Sequence, residues 1–307
     1  MTQFHYPLPE FEPQSPLSGL SDETRTALTN IAMGPSAAKL LLNPNGQPSL
    51  ELDPDFQPIV EASFQRSTDL FGALLEDGLR VPELTSPELS VVNWQHLQEG
   101  FRAYEALNMQ PELVINPEGL GFYTWRTLFS NLRKYQDDLT SNVAHKLQNQ
   151  SNGDGLWVNE EVVNNWDSLV TVNTSSTPRW SVSVIPATPK APALNVTHSE
   201  LKQNGDMSDE LLQILTALPI SDVPPHTSVE AYLTLQANRL ARGEAPIDNP
   251  IDGTYYYTWL DGNFKTSGNE LAAPCGGWRP GDGQVRLDWD RVGGRSDRLG
   301  VRPEVRG

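Results

Sequence analysis

The sequence contains a single cysteine, Cys275, and only five histidines in 307 residues. One thiol cannot form an internal disulfide, and a structural zinc site needs several Cys or His ligands at close spacing. The nucleophile-elbow, Walker and H-E-x-x-H patterns are also missing. These absences exclude a disulfide scaffold and give no support to zinc, hydrolase or nucleotide-dependent chemistry. We therefore expect neither a metal nor a cofactor.

Long apolar runs and basic residues are scarce as well. No stretch approaches the roughly 18 apolar residues that span a bilayer, and the first residues lack the basic and apolar regions of a signal peptide. With 22 basic against 39 acidic residues, the formal net charge is -17, which repels the phosphate backbone of a nucleic acid. We expect a soluble protein, cytoplasmic or virion-associated, with neither nucleic acid nor membrane as its partner.

Large aromatic side chains are well represented, with eight Trp, nine Phe and eight Tyr. At 307 residues the chain exceeds the usual single-domain size, so we expect one large domain with a smaller appendage. Residues 1–90 are predicted to form an extended arm followed by helices, one starting at Ser21 and one starting at Pro58. Residues 91–307 are predicted to form the main domain.

The main domain mixes helical and strand patterns. Large apolar residues recur at three- and four-residue spacing over 94–104 and 122–132, as on the buried face of a helix. Short β-prone runs between turn-forming residues predict strands at 112–115, 156–158 and 179–185. We therefore expect an α+β fold in which helices pack on sheets.

Two local motifs have structural interpretations. Thr227 and Glu230 match a capping box, which predicts a helix that ends near Gly243. The GLG sequence at 119–121 lacks the third glycine of a dinucleotide fingerprint, so we interpret it as a turn.

The six residues 285–290 alternate between apolar and charged side chains. Since successive side chains of a strand point to opposite faces, the pattern predicts a strand with one buried and one exposed face. The buried set is Val285, Leu287 and Trp289, and the exposed set is Arg286, Asp288 and Asp290. A half-buried strand has a solvated side in any case, so the alternation alone indicates no function. Asp288, Asp290 and Asp297 suggest calcium, but they fail the EF-hand template, and we prefer carboxylates that face water.

Residues 275–307 are rich in Arg, Gly, Asp and Ser and contain no Lys. Arginine is enriched at interfaces, and Gly and Ser are common in adaptable binding loops. Seven Arg against five acidic residues give this segment a net charge of +2 in a chain of -17. The segment is therefore predicted to be an exposed binding surface that favours partly anionic or polar protein partners.

Three motifs in this region resemble the C-terminal variable region of the variable proteins of diversity-generating retroelements (DGR): PCGGW at 274–278, VxLxW at 285–289 and LGVRP at 299–303. Weaker matches extend the resemblance upstream to about residue 90, at NW 93–94, ELVI 112–115, WR 125–126 and WxV 180–182. The resemblance implies a C-type lectin-like domain, of the type also found in formylglycine-generating enzymes, with an N-terminal helical appendage. In this family a reverse transcriptase copies a template with errors at adenines, so that AAY codons become any NNY codon.

The resemblance divides the C-terminal segment into replaceable and fixed positions. NNY codons encode Gly, Arg, Asp, Ser and Cys but never Trp, Gln, Glu, Lys or Met. The implied variable, ligand-binding positions are Gly277, Arg279, Asp282, Arg286, Asp288, Asp290, Gly293, Gly294, Ser296 and Arg298, with Arg291 and Cys275 as further candidates. The implied scaffold positions are Trp259, Trp278, Val285, Leu287, Trp289, Leu299, Gly300 and Arg302.

Three functions are compatible with this sequence. The resemblance implies a non-enzymatic protein that binds a macromolecular ligand, expected to be a protein, through a hypervariable surface. About ten variable side chains suit an interface of roughly 800 Å² per partner. One alternative is an enzyme of the formylglycine-generating type, which would depend on Cys275. The other is a phage structural protein whose C-terminus mediates assembly.

Overall fold

The computed structural model of the chain describes eight stretches, which are residues 53–75, 92–138, 144–150, 153–171, 179–200, 209–218, 226–251 and 253–307. The N-terminal arm and the helix predicted to start at Ser21 lie outside these residues. The helix predicted to start at Pro58 is present as α1, Gln57–Leu75.

Helices form at both places where the spacing of apolar residues predicts them. They are α2, Trp94–Ala106, and α3, Phe122–Asp138. The repeating residues of α2 are all buried, as its amphipathic pattern requires: Trp94, Leu97, Phe101 and Tyr104. The remaining described helices are α4, Glu160–Asn164, α5, Trp166–Leu169, α6, Asp209–Ala217, and α7, Val229–Ala241.

The start of α7 differs from its predicted cap by one residue. Ser228 is the N-cap, and its side-chain oxygen accepts a hydrogen bond from the backbone N–H of Ala231. The Thr227 hydroxyl instead donates to the carbonyl oxygen of Arg302 at 2.7 Å. The predicted capping box of Thr227 and Glu230 is therefore wrong, because a long-range partner takes the threonine hydroxyl.

A small antiparallel sheet joins the middle of the chain to its C-terminus. Its strands are β1, Pro111–Glu118, β5, Arg179–Pro186, and β12, Val305–Arg306, with β5 in the centre. Strand β1 pairs with β5 along its whole length, and β12 pairs with β5 through Val305 opposite Val184. The predicted strands at 112–115 and 179–185 are thus neighbours.

The larger sheet carries the C-terminal motifs. Its strands, in spatial order, are β4, Leu156–Val158, β10, Gln284–Arg291, β9, Leu271–Arg279, β7, Tyr257–Trp259, β11, Leu299–Val301, and β6, Ala193–Leu194. A further strand, β8, Phe264–Lys265, pairs with β9, while β2, Asn149–Gln150, and β3, Gly153–Asp154, form a separate hairpin. Strands β4 and β10 are parallel, as are β7 and β11.

The helices and both sheets share one hydrophobic core, which includes the fully buried Trp125, Trp259 and Trp278. Phe64 and Phe71 of α1 belong to the same core. The core therefore begins upstream of the boundary at residue 90 that the sequence suggests.

A buried ion pair ties the last strands to the core. Arg302 and Asp248 are both 0% exposed, and Nη2 of Arg302 lies 2.8 Å from Oδ1 of Asp248. The other carboxylate oxygen accepts hydrogen bonds from the hydroxyl groups of Tyr232 and Thr258. Since buried charges are tolerated only when they are paired and hydrogen-bonded, this cluster holds α7, β7 and the C-terminal motif in one arrangement.

These elements make the protein an α+β fold, as the sequence predicts. None of the helices in the described ranges is long and apolar enough to cross a membrane.

Candidate binding surface

Strand β10 has the two faces that its sequence predicts. Val285 and Leu287 are 0% exposed and pack into the core, and Trp289 is partly buried against it. Arg286 and Asp288, which alternate with these residues, are partly exposed, and Asp290 is exposed. We call the solvent side of this strand and its neighbours the outer face; it comprises Trp157, Asn159, Tyr255, Tyr257, Arg279, Asp282, Arg286, Asp288 and Asp290.

The centre of the outer face is a cation–aromatic pair. Arg286 lies beside Trp157 in the parallel register of β10 and β4, and its guanidinium carbon is 4.7 Å from the centroid of the tryptophan ring. Its Nη2 also lies 2.6 Å from Oδ2 of Asp282 in the turn after β9. The stacking and the ion pair together hold the Arg286 side chain in one position.

Two tyrosines hold Arg279 at one end of the outer face. Its Nε and Nη2 donate to the hydroxyl oxygen of Tyr257 at 3.3 and 3.0 Å. Its guanidinium carbon lies 5.1 Å from the centroid of the Tyr255 ring. A rigid guanidinium on aromatic rings is typical of the residues that contribute most to protein interfaces.

Acidic side chains occupy the opposite end. Asp288 Oδ1 accepts a hydrogen bond from Asn159 Nδ2 at 3.0 Å, and Asp290 Oδ1 accepts one from the backbone N–H of Arg291 at 2.7 Å. The Arg291 side chain turns away to pair with Glu270, with Nη2 and Oε1 2.7 Å apart.

Two of the implied variable positions are buried, which corrects the expectation that they project into solvent. The ring of Tyr257 covers Gly277, and a Cβ atom added there would lie 2.7 Å from Cδ1 of the ring. Cys275 is 5% exposed, and its burial, followed by the nearby charges of Asp288 and Asp290, raises the pKa of the thiol well above its usual value. Neither residue presents a side chain on the outer face, because Gly277 has none and that of Cys275 is buried.

The remaining implied variable residues lie in the loop between β10 and β11. The backbone N–H of Asn195 donates to the carbonyl oxygens of Ser296 and Leu299, and Arg295 forms an ion pair with Glu200. Along the loop, Gly293 and Arg298 are exposed and Gly294 and Ser296 are partly exposed. The carbonyl oxygen of Arg298 accepts from the N–H of Tyr257 at 2.7 Å, so the loop adjoins the outer face at that tyrosine.

The implied scaffold positions lie inside the protein, with Trp289 only partly buried. Gly300 packs so closely against β6 that a Cβ atom there would lie 2.2 Å from the carbonyl oxygen of Ala193. Seven of the eight are buried: Trp259, Trp278, Val285, Leu287, Leu299, Gly300 and Arg302.

Sequence reasoning missed four members of the outer face: Trp157, Asn159, Tyr255 and Tyr257. The strand at 156–158 is predictable, but its pairing with β10 is not, because the two are more than a hundred residues apart in the chain. The aromatic run before Trp259 was the one available signal, since exposed aromatic residues beside a glycine-rich segment are typical of interfaces.

Metal-ligating clusters and clefts are two other kinds of site that a protein of this size can carry. Within the described ranges, no group of three or more His, Cys, Asp or Glu side chains could hold a metal ion. An open cleft of about 410 Å³ lies between the start of α3 and helices α4 and α5, and Phe122, Tyr123 and Trp166 line it.

We compared the chain with models of protein families, with curated proteins and with solved structures, and no match was found.

Proposed function

We propose that this chain is a non-enzymatic binding protein whose C-terminal sheet displays a replaceable surface, diversified by a retroelement reverse transcriptase. The proposal includes the finer fold, a C-type lectin-like domain of the formylglycine-generating-enzyme type. The partner we propose is a macromolecule, specifically a protein.

The observation that carries the proposal is the difference between the exposed and the buried residues of β9 and β10. Arg279, Arg286, Asp288 and Asp290 are exposed or partly exposed and are of types that NNY codons encode. Among the residues that NNY codons never encode, Trp278 and Trp289 point to the opposite side, and Gln284, on the same side as Arg286, is buried. Because solvent-facing side chains of a sheet can change without disturbing the core, this geometry permits diversification of one face only.

The composition of the outer face supports binding rather than simple solvation. Tyr, Trp and Arg are the residues most enriched among those that dominate binding energy. Here Trp157 and Tyr255 stack on arginines, so that the arginine side chains are ordered before a ligand arrives. Ordering in advance lowers the entropy that association must overcome.

The enzyme alternative receives no support from its one candidate nucleophile. A catalytic cysteine acts as a thiolate and needs access to substrate. Cys275 is buried, and its raised pKa keeps it as a thiol at neutral pH.

A pair of displayed libraries tests the proposal. In one, NNY codons replace the codons of Arg279, Asp282, Arg286, Asp288 and Asp290 in the full chain. In the other, the same number of buried positions is randomised: Trp278, Val285, Leu287, Leu299 and Val301. Members of the first library should unfold within about 5 °C of the parent, because substitutions at exposed or partly exposed positions outside the core change stability little. Selection on hen lysozyme should also recover binders from it.

Members of the buried library should be mostly unfolded, because large core residues would be lost. If outer-face members unfold as often as buried ones, the face is not replaceable. If no lysozyme binder depends on its randomised side chains, the face is not a binding surface.

A further inference from the structure

The charges of the C-terminal segment are arranged differently from what its composition suggests. The sequence count of +2 indicates a basic patch, yet most of these arginines have a carboxylate partner within the chain. The ion pairs are Arg286–Asp282, Arg291–Glu270, Arg295–Glu200, Arg298–Asp297, Arg302–Asp248 and Arg306–Glu304. A general attraction to anions therefore does not follow from the composition.

Arg279 is different. No carboxylate within the described ranges lies at ion-pair distance from its guanidinium, whose partners are the neutral hydroxyl of Tyr257 and the ring of Tyr255. The charge of Asp282 in the adjacent turn also acts on Arg279, but Asp282 forms its ion pair with Arg286. Arg279 is thus held in place without an ion pair of its own. An ordered guanidinium of this kind favours a carboxylate, which it can bind with two parallel hydrogen bonds.

The other end of the outer face has the opposite charge. Asp288 and Asp290 project from the same side of the sheet as Arg279, since Arg279 pairs with Gln284 and Asp288 lies four residues further along β10. Neither carboxylate has a basic side chain at ion-pair distance in the described part of the chain; their hydrogen-bond donors are an amide and backbone N–H groups. At a rise of about 3.3 Å per residue, Arg279 and Asp288 are separated by about 13 Å along the strands.

Between the two ends, the surface is electrically neutral and aromatic. Arg286 is paired with Asp282 and stacked on Trp157. The outer face is therefore a strip with a cation at one end, a neutral aromatic centre and two anions at the other end.

We infer that this strip binds a protein segment that presents an acidic side chain to Arg279 and a basic side chain, about four extended residues away, to Asp288 and Asp290. The inference rests on the proposed function and specifies the partner. Charge complementarity of this kind fixes the orientation of a ligand and rejects wrong partners. A polyanion such as a nucleic acid would place phosphates against the two aspartates, which repel them.

A random twelve-residue peptide library displayed on phage is the probe. It is selected on the purified full chain, on Arg279→Gln and on the double variant Asp288→Asn/Asp290→Asn. Peptides from the parent should be enriched in an acidic and a basic residue about four positions apart. The enrichment in acidic residues should vanish with Arg279→Gln, and the enrichment in basic residues should vanish with the double variant.

The matched control is Arg126→Gln, which removes an exposed arginine from α3, outside the outer face. It should leave the selected sequences and their affinities unchanged. A peptide recovered on the parent should bind Arg279→Gln about tenfold more weakly.

Three results would contradict either the inferred partner or the proposed function, and they can be distinguished from one another. Peptides of one charge sign, or without charge preference, that lose binding in Trp157→Ala overturn the dipolar partner but retain the face as a binding site. The same acidic preference on Arg279→Gln as on the parent also overturns the inference. Peptides that bind every outer-face variant equally contradict the proposed function itself.

Discussion

At the scale of single residues, two adjacent glycines in β9 have different reasons for being glycine. A Cβ atom on Gly276 would lie 2.4 Å from the ring of Tyr232, which is fully buried and hydrogen-bonded to Asp248. A Cβ atom on Gly277 would meet Tyr257, whose ring is partly exposed and able to move towards solvent. Gly276 is thus a packing requirement, whereas a side chain at Gly277 needs a rotation of Tyr257 and a small shift of the backbone carbonyl oxygen of Tyr256, which would lie 3.0 Å from the added Cβ atom.

Replacing Gly276 with alanine is expected to lower the free energy of unfolding by about 2 kcal/mol, because Tyr232 cannot move without breaking its buried hydrogen bonds. The measurement is chemical denaturation of Gly276→Ala and of Gly281→Ala. The second variant is the control, since a Cβ atom at Gly281 meets nothing within 4 Å. Equal stability of the two variants would mean that β9 and α7 do not pack as described.

At the scale of elements, α7 is the most enclosed helix that the structure describes, with ten consecutive buried residues from Val229 to Asn238. One of these ten residues, Glu230, has an ionisable carboxyl group. Burial raises the pKa of Glu230 to about 8, although hydrogen bonds from its own backbone and from Thr171 favour the charged form. The buried carboxylates of Glu118 and Glu304 raise it further. Glu230 is therefore protonated in the folded protein at neutral pH.

This protonation makes stability depend on pH in a defined direction. The folded-state pKa of about 8 lies above the ordinary value of 4.5, so the folded protein holds a proton that the unfolded chain releases. The stabilisation is full below pH 4.5 and is lost progressively as the pH rises to about 8. The associated free energy is at most about 5 kcal/mol.

The variant Glu230→Gln is expected to flatten this dependence, since a neutral amide takes the place of the titrating group. Urea denaturation between pH 5 and about 8.5 measures it, and the variant should gain stability relative to the parent as the pH rises. Glu160→Gln, which changes an exposed glutamate in α4, is the control. A parent and a Glu230→Gln variant with parallel pH profiles would contradict the buried position of this carboxylate.

Local sequence patterns predicted the helices and strands better than they predicted which residues contact each other across the fold. The spacing of Trp94, Leu97, Phe101 and Tyr104 identified α2, and the alternation over 285–290 identified β10 and its exposed side. The cap of α7 was missed because the competing partner of Thr227 is Arg302, which is distant in the chain. Propensity and periodicity report on neighbours in sequence, whereas such partners are set by tertiary packing.

At the scale of the whole molecule, the outer face brings together parts of the chain that are far apart in sequence. It combines β4 with β7, β9 and β10, and the buried pair of Asp248 and Arg302 connects the helix layer to this sheet. A surface on paired strands is rigid, so changes in its side chains alter recognition without altering the frame. This organisation fits a protein that keeps its fold while its binding residues change.

Only part of the candidate site could be predicted from the sequence, because the rest depends on strand pairing between distant segments. Arg279, Arg286, Asp288 and Asp290 lie in one continuous segment and could be found there. Trp157 and Tyr255 reach the face only through strand pairing, and the burial of Gly277 depends on a tyrosine twenty residues earlier. The charges followed the same rule in part, because the carboxylate partners of Arg291, Arg295 and Arg302 lie outside the C-terminal segment.

The central claim is that the side chains of the outer face are one variant among many that the retroelement generates. The DNA that flanks the gene tests this claim most directly. The expected result is a near-copy of the segment encoding residues 275–307, close to a reverse-transcriptase gene. This copy should carry AAY codons opposite Arg279, Arg286, Asp288 and Asp290, and should be identical at the codon of Trp278. Flanking DNA without such a copy, or with a copy whose differences fall equally on buried and exposed positions, would contradict the claim.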